Sequence, residues 1–375
     1  MAPLLEVHVP EFVPPPKAYA VSVKPIYGSN HHNGDISQEH EEGEGEGRGR
    51  VMSIRSGERS NHDDGGDRSV FSNHSFLQAN MHRTGLHHYR ELHDRPLGEI
   101  FKFLGLAMPN PRFACSKCTG RRKALCIGIN YLGQKNQLKG CVNDALNVRK
   151  FLMQNYGFRS SEIMLMTDES HEPRLHPTRQ NMIAGMQWLV EGARPHDSLF
   201  LHYSGHGGQK RTEDDDEADG LDEVIFPVDF QKSGDIIDNE LNQILVQPLP
   251  SGCRLTGLFD CCHSGTVLDL PYLHSAHGRI KKTHISKRAR RRDPPPADVI
   301  CFSACKDDET SADTFEGGMY VGAMSYGLIK ALKENPNQTY DQVLESVRNI
   351  LRSKYKQKPQ LGASNPVDLQ AKFML

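Results

Sequence analysis

The sequence lacks several features that would place it in other classes of protein. No apolar run approaches the roughly eighteen residues that a membrane-spanning helix needs. The amino terminus, MAPLLEVHVPEFVPPP, has neither a basic leader nor an uninterrupted apolar stretch, so it does not match a secretory signal. The formal net charge of −2 argues against a protein that binds nucleic acid through bulk electrostatics. These absences favour a cytoplasmic protein that binds neither membranes nor nucleic acid.

Cysteines are present, but they form no disulfide or zinc pattern. Nine cysteines in a chain without a signal peptide indicate reduced thiols. Cys115 and Cys118 form a single C-x-x-C pair with no second pair at zinc spacing, and Cys261, Cys262 and His263 are consecutive, which is a poor tetrahedral geometry. A zinc site is therefore an alternative role for these residues, but their spacing does not favour it. We expect no organic cofactor.

Composition divides the chain into two parts. Residues 1–114 contain GSNHHNGD and EEGEGEGRGR and show no sustained apolar periodicity. A segment of this composition cannot bury enough surface to offset its ordering entropy, so we predict a mostly disordered N-terminal extension. Its histidines could bind metal, although their irregular spacing favours solvated loops.

The remainder, 115–375, is predicted to form an α/β domain. Short apolar runs predict five buried strands, at 124–129, 162–166, 198–203, 254–259 and 298–304. Helical patterns lie at 142–157, 178–193, 238–249, 319–332 and 340–355. This alternation predicts a mainly parallel sheet with helices on both faces. A basic, proline-terminated segment at 277–296 is predicted to be an exposed linker between 115–276 and 297–375.

Two of the predicted strands end in reactive groups. SLFLHY leads into SGHGG, which contains His206, and RLTGLF leads into DCCHSG. Because the carboxyl ends of parallel strands meet at one edge of a sheet, we expect His206 to lie close to one of the two cysteines. A free thiol is only a few per cent thiolate near neutral pH, and a neighbouring imidazole raises the fraction of this nucleophilic form.

The two-residue period of a strand selects the cysteine. Phe259 and Cys261 share one face, and Asp260 and Cys262 share the other. We predict that the Phe259 face is packed and the Asp260 face is open, because a carboxylate on a packed apolar face is costly. Cys262 is therefore the candidate nucleophile and Cys261 a small buried residue. The N–H groups of Gly207 and Cys262 are candidates for the oxyanion site.

Six segments together resemble one known family. KALCIGINY, GCVNDA, YSGHGG, DEVIFPVDF, DCCHSG and LDLPY, in that order, are similar to the type I metacaspases, caspase-like cysteine peptidases, and the resemblance is to a fungal-type member. The resemblance implies a caspase-like three-layer sandwich and a catalytic dyad of His206 and Cys262. It also implies cleavage after Arg or Lys and roles in programmed cell death and protein quality control.

The resemblance also implies a substrate pocket and a metal site. Asp144, Ser204 and Asp260 match the family's pocket for a basic side chain, and Cys141, one turn before Asp144, would border it. An alternative role for Asp144 is a favourable charge at a helix N-terminus. Activation by Ca²⁺ is implied through a set of oxygen ligands that match the family's aspartate cluster: Asp222, Asp238, Asn239 and Asp269.

The function predicted from these patterns is a calcium-responsive cysteine endopeptidase acting on protein substrates. The stretch 281–292 carries seven Lys or Arg residues, so we expect self-cleavage there; the same stretch also has the composition of a nuclear-localisation signal. The family resemblance implies a monomer. The alternative is a non-proteolytic stress or aggregate-handling scaffold with a vestigial site.

Overall fold

The computed structural model describes residues 110–211, 221–261, 267–275, 294–305, 313–316, 319–352 and 358–375. All of them belong to the unit Arg68–Leu375. Residues 1–109 of the predicted N-terminal extension, Cys262 and most of the basic linker lie outside the described residues. The boundaries predicted at 114/115 and at the two ends of the linker stay predictions.

Twelve strands and six α-helices lie in the described ranges. The strands are β1 (Arg122–Gly128), β2 (Ile163–Thr167), β3 (Ser198–Ser204), β4 (Gly207–Arg211), β5 (Leu221–Ile225), β6 (Ile236–Ile237), β7 (Arg254–Asp260), β8 (Tyr272–Ser275), β9 (Asp298–Cys305), β10 (Asp313–Glu316), β11 (Met319–Gly322) and β12 (Lys358–Ala363). The helices are α1 (Cys141–Tyr156), α2 (Arg179–Val190), α3 (Phe230–Ser233), α4 (Asp238–Leu245), α5 (Ala323–Glu334) and α6 (Tyr340–Arg352).

The central sheet has seven strands in the order β2-β1-β3-β7-β9-β12-β8. The five strands from β2 to β9 are parallel. β12 is antiparallel to β9, and β8 pairs with the other side of β12. Smaller antiparallel sheets are formed by β4-β5-β6 and by β10-β11. The predicted α/β class and mainly parallel sheet are confirmed.

Apolar side chains cover both faces of the sheet. One core packs α1, α5 and α6 against a face that includes Phe200, Leu258 and Phe302. The other packs α2 and α4 against a face that includes Leu199 and Leu255. The five strands with uninterrupted apolar runs are buried between these helices, as expected for a parallel sheet. The layers therefore form a three-layer sandwich, as predicted. No helix within the described ranges is both long and apolar enough to cross a membrane.

The helix predicted at 319–332 begins later than expected. Met319–Gly322 forms β11, which pairs with β10, and α5 starts at Ala323. Gly322 is the residue before the helix and has an extended backbone, with φ −76° and ψ 142°. The apolar residues of this segment fit a strand as well as a helix, and the pairing with β10 selects the strand.

A buried charged network lies at the amino-terminal edge of the sheet. The Arg254 guanidinium on β7 donates to Asp298 Oδ2 at 2.6 Å and to the Tyr340 hydroxyl at 2.5 Å. The backbone N–H of Ser116 donates to the same Asp298 oxygen at 2.9 Å. The network thus joins β7, β9, α6 and the segment that precedes β1. Contacts of that segment begin at Asn110, whose N–H donates to the Asn365 side chain.

Candidate active site

The carboxyl ends of β3 and β7 lie side by side at one edge of the sheet. Ser204 on β3 is in register with Asp260 on β7, and also with Gly128 on β1. His206 follows Ser204 by two residues, and Cys262 follows Asp260 by two residues. Both predicted dyad members therefore continue from the same register pair. Cys262 lies outside the described residues, so its pairing with His206 stays a prediction.

His206 is held by two buried tyrosines. The Tyr131 hydroxyl accepts from the His206 backbone N–H at 3.0 Å, and the Tyr203 hydroxyl donates to the His206 carbonyl at 2.7 Å. The rings of Tyr131 and His206 lie 4.5 Å apart between centroids. A side chain at Gly205 would lie 2.7 Å from the Tyr203 hydroxyl, so a glycine is needed there. These contacts fix the loop that presents the imidazole.

The hydrogen bond of the His206 ring determines which nitrogen carries the proton. Nε2 lies 2.7 Å from the backbone carbonyl oxygen of Asn136. A carbonyl can only accept, so Nε2 is the protonated nitrogen and Nδ1 is the acceptor of the neutral ring. Nδ1 is therefore the atom that can take a thiol proton.

Cys261 lies on the packed face of the strand, as the strand period predicts, but the Asp260 face is not open. Cys261 is 6% exposed and packs in the same core as Phe259. Asp260 is only 3% exposed, because helix α5 covers that face as well. Its carboxylate is compensated there by the N–H of Ser325, which donates to Asp260 Oδ2 at 2.8 Å.

Two carboxylates converge on the beginning of α5. The Gly322 N–H donates to both oxygens of Asp144, at 2.8 and 2.9 Å, and the Ser204 hydroxyl donates to Asp144 Oδ2 at 2.7 Å. A side chain at Gly322 would lie 2.6 Å from Asp144 Oδ2 and closer still to Asp260 Oδ2. The predicted pocket residues Asp144, Ser204 and Asp260 are thus brought together, and Gly322 permits the close approach.

Cys141 and Gly207, the other predicted residues of this edge that the structure describes, lie at the beginnings of α1 and β4. Cys141 is the first residue of α1 and is buried. Its carbonyl lies against Gly128 at the end of β1, where no side chain would fit. Gly207 is half-buried and begins β4 opposite Ile225. A groove of about 500 Å³ between α1 and α5 reaches Asp144 and Ser325.

The predicted calcium ligands are buried near one another. Asp222, Asp238 and Asp269 are 8%, 1% and 4% exposed, and Asn239 follows Asp238 at the start of α4. Burial, with repulsion from Asp269 and Asp222, raises the pKa of Asp238 to about 7. The donors are all oxygens, which suits Ca²⁺. Among the described residues, however, no three His, Cys, Asp or Glu side chains are already placed to hold a metal.

Sequence reasoning missed several residues of the site. Tyr131 ends the motif KALCIGINY and Tyr203 ends a predicted strand, so neither position indicates a contact with His206, and Asn136 acts through its backbone carbonyl. Gly322 and Ser325 lay within a predicted helix and contribute mainly backbone N–H groups. The glycine at the junction of β11 and α5 was the one available signal, since a close backbone approach requires a missing side chain.

Comparison with known proteins identifies relatives over most of the described chain. Residues 122–271 match the family model "Metacaspase, peptidase C14 domain". Metacaspase-1 of Cryptococcus neoformans is 47% identical over 305 residues, covering 70% of this chain and 67% of the relative. Metacaspase-1A of Neurospora crassa is 44% identical over 335 residues, covering 78% and 74%.

Solved structures give weaker matches. Protein GSU0716 from Geobacter sulfurreducens matches with a TM-score of 0.47 and 23% identity, covering 66% of this chain and 95% of that protein. Caspase-1 from Spodoptera frugiperda matches with a TM-score of 0.39 and 12% identity, covering 69% and 89%.

Proposed function

We propose, since this chain belongs to the metacaspase family of cysteine-type endopeptidases, that it cleaves protein substrates after Arg or Lys in response to calcium. The observation that carries the proposal is the convergence of two buried carboxylates, Asp144 and Asp260, beside the strand ends that lead to His206 and Cys262. Turnover of fluorogenic Arg and Lys peptides, with and without Ca²⁺, tests it.

The arrangement supports a mechanism with two steps. His206 Nδ1 takes the proton of the Cys262 thiol, and the sulfur attacks the peptide carbonyl. Nε2 keeps its proton and donates it in a hydrogen bond to the Asn136 carbonyl, which keeps the ring in the required tautomer. We propose that the N–H groups of Gly207 and Cys262 stabilise the oxyanion. The protonated His206 then gives its proton to the leaving amine, and water hydrolyses the acyl-enzyme.

Two carboxylates at one site favour a basic substrate side chain. A guanidinium or ammonium group entering the site would gain charge-assisted hydrogen bonds from Asp144 and Asp260. The Gly322 and Ser325 N–H groups and the Ser204 hydroxyl donate to these two carboxylates and hold both in place as hydrogen-bond acceptors. A cationic substrate group is therefore the natural occupant.

Replacing Asp260 with Asn should lower kcat/KM for Arg and Lys peptides by about 10- to 150-fold, the effect of losing a hydrogen bond to a charged group. Asn keeps an oxygen that can accept from the Ser325 N–H, so the fold should survive. Asp197→Asn is the matched control, because Asp197 is a buried carboxylate that accepts backbone N–H groups at the opposite edge of the sheet. Unchanged turnover in Asp260→Asn would remove this residue from the pocket.

We propose that Asp222, Asp238, Asn239 and Asp269 hold the activating calcium. Asp238 is buried and is repelled by Asp269 and Asp222, and a bound cation would relieve that repulsion. Asp222 is the second residue of β5, the strand that follows the acidic stretch 212–220, so bound calcium would act on the chain that enters β5. Calcium would supply charge neutralisation there and take no part in the peptide-bond chemistry.

Adding Ca²⁺ at about 100 times its Kd should raise the Tm by roughly 5–10 °C. Asp269→Asn should weaken this response while raising the Tm without calcium, because it removes a repulsion on Asp238. Asn also tolerates the left-handed backbone of Asp269, whose φ is 47°. Asn239→Asp should strengthen the response. Differential scanning fluorimetry with CaCl₂ and MgCl₂ measures these shifts, and a Tm indifferent to Ca²⁺ in the wild type and in Asn239→Asp refutes the site.

We propose that the enzyme cuts its own linker within 281–292. Seven Lys or Arg residues there match the proposed specificity, and the linker joins β8 to β9. Wild-type protein incubated with Ca²⁺ should give two fragments whose new ends follow Lys or Arg, as read by mass spectrometry. Cys262→Ala should stay intact; the same fragments from that variant would show a contaminating protease.

We propose a monomer. Caspases associate through their last strand, and in this structure the last strand, β12, pairs with β9 on one side and with β8 on the other. With both sides hydrogen-bonded, β12 offers no edge to a second copy.

A further inference from the structure

His202 is a polar side chain among apolar neighbours. It lies on β3 in register with Cys126 and Leu258, and its side chain is completely buried. Burial lowers the pKa of His202 to about 3, so the ring is neutral at neutral pH. Nδ1 is buried and has no hydrogen-bond partner among the described residues. Burying a polar nitrogen without a hydrogen bond lowers the stability of the fold, and an apolar side chain could fill the same space. Packing of the core therefore does not explain why a histidine is present at this position.

Ser325 connects His202 to the proposed substrate pocket. His202 Nε2 lies 3.0 Å from Ser325 Oγ. The backbone N–H of the same serine donates to Asp260, and Gly322, three residues earlier, donates to Asp144. The first turn of α5 therefore contacts both pocket carboxylates, and the His202 ring contacts the same turn through the Ser325 hydroxyl.

We propose that His202 and Ser325 are positioning residues for the pocket: the imidazole fixes the Ser325 side chain, and thereby the turn of α5 that sets the position of Asp260. This inference rests on the proposed function, because it assigns a role relative to the basic substrate side chain. A guanidinium in bidentate contact needs its carboxylate in one orientation, whereas an ammonium group acts as a point charge with rotatable donors. Loosening the turn should therefore harm Arg substrates more than Lys substrates.

The test compares four variants in kinetics and thermal unfolding. In His202→Leu and Ser325→Ala, KM for an Arg peptide should rise about three- to tenfold, the effect of one lost hydrogen bond, while kcat is kept. The ratio of kcat/KM for Arg over Lys should fall. Ser325→Thr keeps the hydroxyl, so its KM and its Arg/Lys ratio should equal those of the wild type. His202→Leu should leave the Tm unchanged or raise it, because a buried unmet nitrogen is removed.

Thr256→Val is the matched control. Thr256 is fully buried on the same face of β7 as Asp260, four residues earlier, and its hydroxyl has no partner among the described residues. This variant should change neither KM nor the Arg/Lys ratio.

Two results with the variants would overturn the inference. One is an unchanged KM and Arg/Lys ratio in Ser325→Ala, which decides the matter even if His202→Leu fails to fold. The other is a joint fall of kcat and Tm, with the Arg/Lys ratio kept, which indicates a purely structural role. A wild-type enzyme that cleaves neither Arg nor Lys peptides would overturn the proposed function and this inference with it. A normal wild type with unaltered variants overturns this inference alone.

Discussion

Replacing Cys262 with Ala should abolish peptide turnover, with a loss in kcat of about 10⁶-fold, because no nucleophile remains. Replacing His206 with Ala should lower kcat by about 10²–10⁴-fold, the usual contribution of a general base. The structure supplies the reason for the second effect, since the Asn136 carbonyl holds Nε2 protonated and leaves Nδ1 as the proton acceptor. Both values come from initial rates with a fluorogenic Arg peptide in the presence of Ca²⁺.

The neighbouring cysteine provides the control. Cys261 packs in the apolar core beside Phe259, so Cys261→Ala should keep most of the activity and lose only a small amount of packing. The rate of alkylation by iodoacetamide gives a second measurement. The fast alkylation seen in the wild type should be absent in Cys262→Ala, and in His206→Ala alkylation should be slower near pH 6. Loss of activity in Cys261→Ala, with Cys262→Ala active, would reverse the assignment.

Breaking the Arg254–Asp298 ion pair should destabilise the fold by about 3–5 kcal/mol, because each single substitution leaves the other charge buried. The atoms of the pair lie 2.6 Å apart, and their side chains are 5% and 6% exposed. Arg254→Met and Asp298→Asn should each shift the urea unfolding midpoint downward. No effect on KM is expected, since the pair lies at the edge of the sheet opposite the active site.

The double variant distinguishes the energy of the ion pair from the cost of leaving one buried charge unpaired. Arg254→Met/Asp298→Asn leaves no unpaired charge, so its loss of stability should be smaller than the sum of the two single losses. The exposed pair Lys210–Asp235, with 3.7 Å between Nζ and Oδ1, is the comparison, and Lys210→Met should cost at most about 1 kcal/mol. A loss below that value in both buried single variants would contradict the prediction.

The central strands could be predicted from the sequence because burial on both faces gives a strand an uninterrupted apolar run. All five predicted strands occur, with ends within two residues of the predicted ones. β8 and β12 could not be found in this way. Their sequences, YLHS and KPQLGA, are short or contain Pro and Gly, and their strand conformation comes from pairing with each other and with β9.

The candidate site was predictable only in part. The strand period separated Cys261 from Asp260, but the family resemblance was needed to select Asp144. The N–H groups of Gly322 and Ser325 were beyond reach, because a backbone donor has no residue-specific signature and Gly322 is 178 positions from Asp144. The tautomer of His206 likewise depends on a backbone carbonyl in a loop.

The order of strands determines what a cut in the basic linker can achieve. β9 and β12 come after the linker, yet they are inserted between β7 and β8, which come before it. After a cut in the linker, the two fragments would therefore stay joined by the hydrogen bonds between β7 and β9 and between β12 and β8. The nick frees new chain ends without releasing either piece, so maturation would change the freedom of the segments near Ser275 and Asp298 and leave the assembly intact.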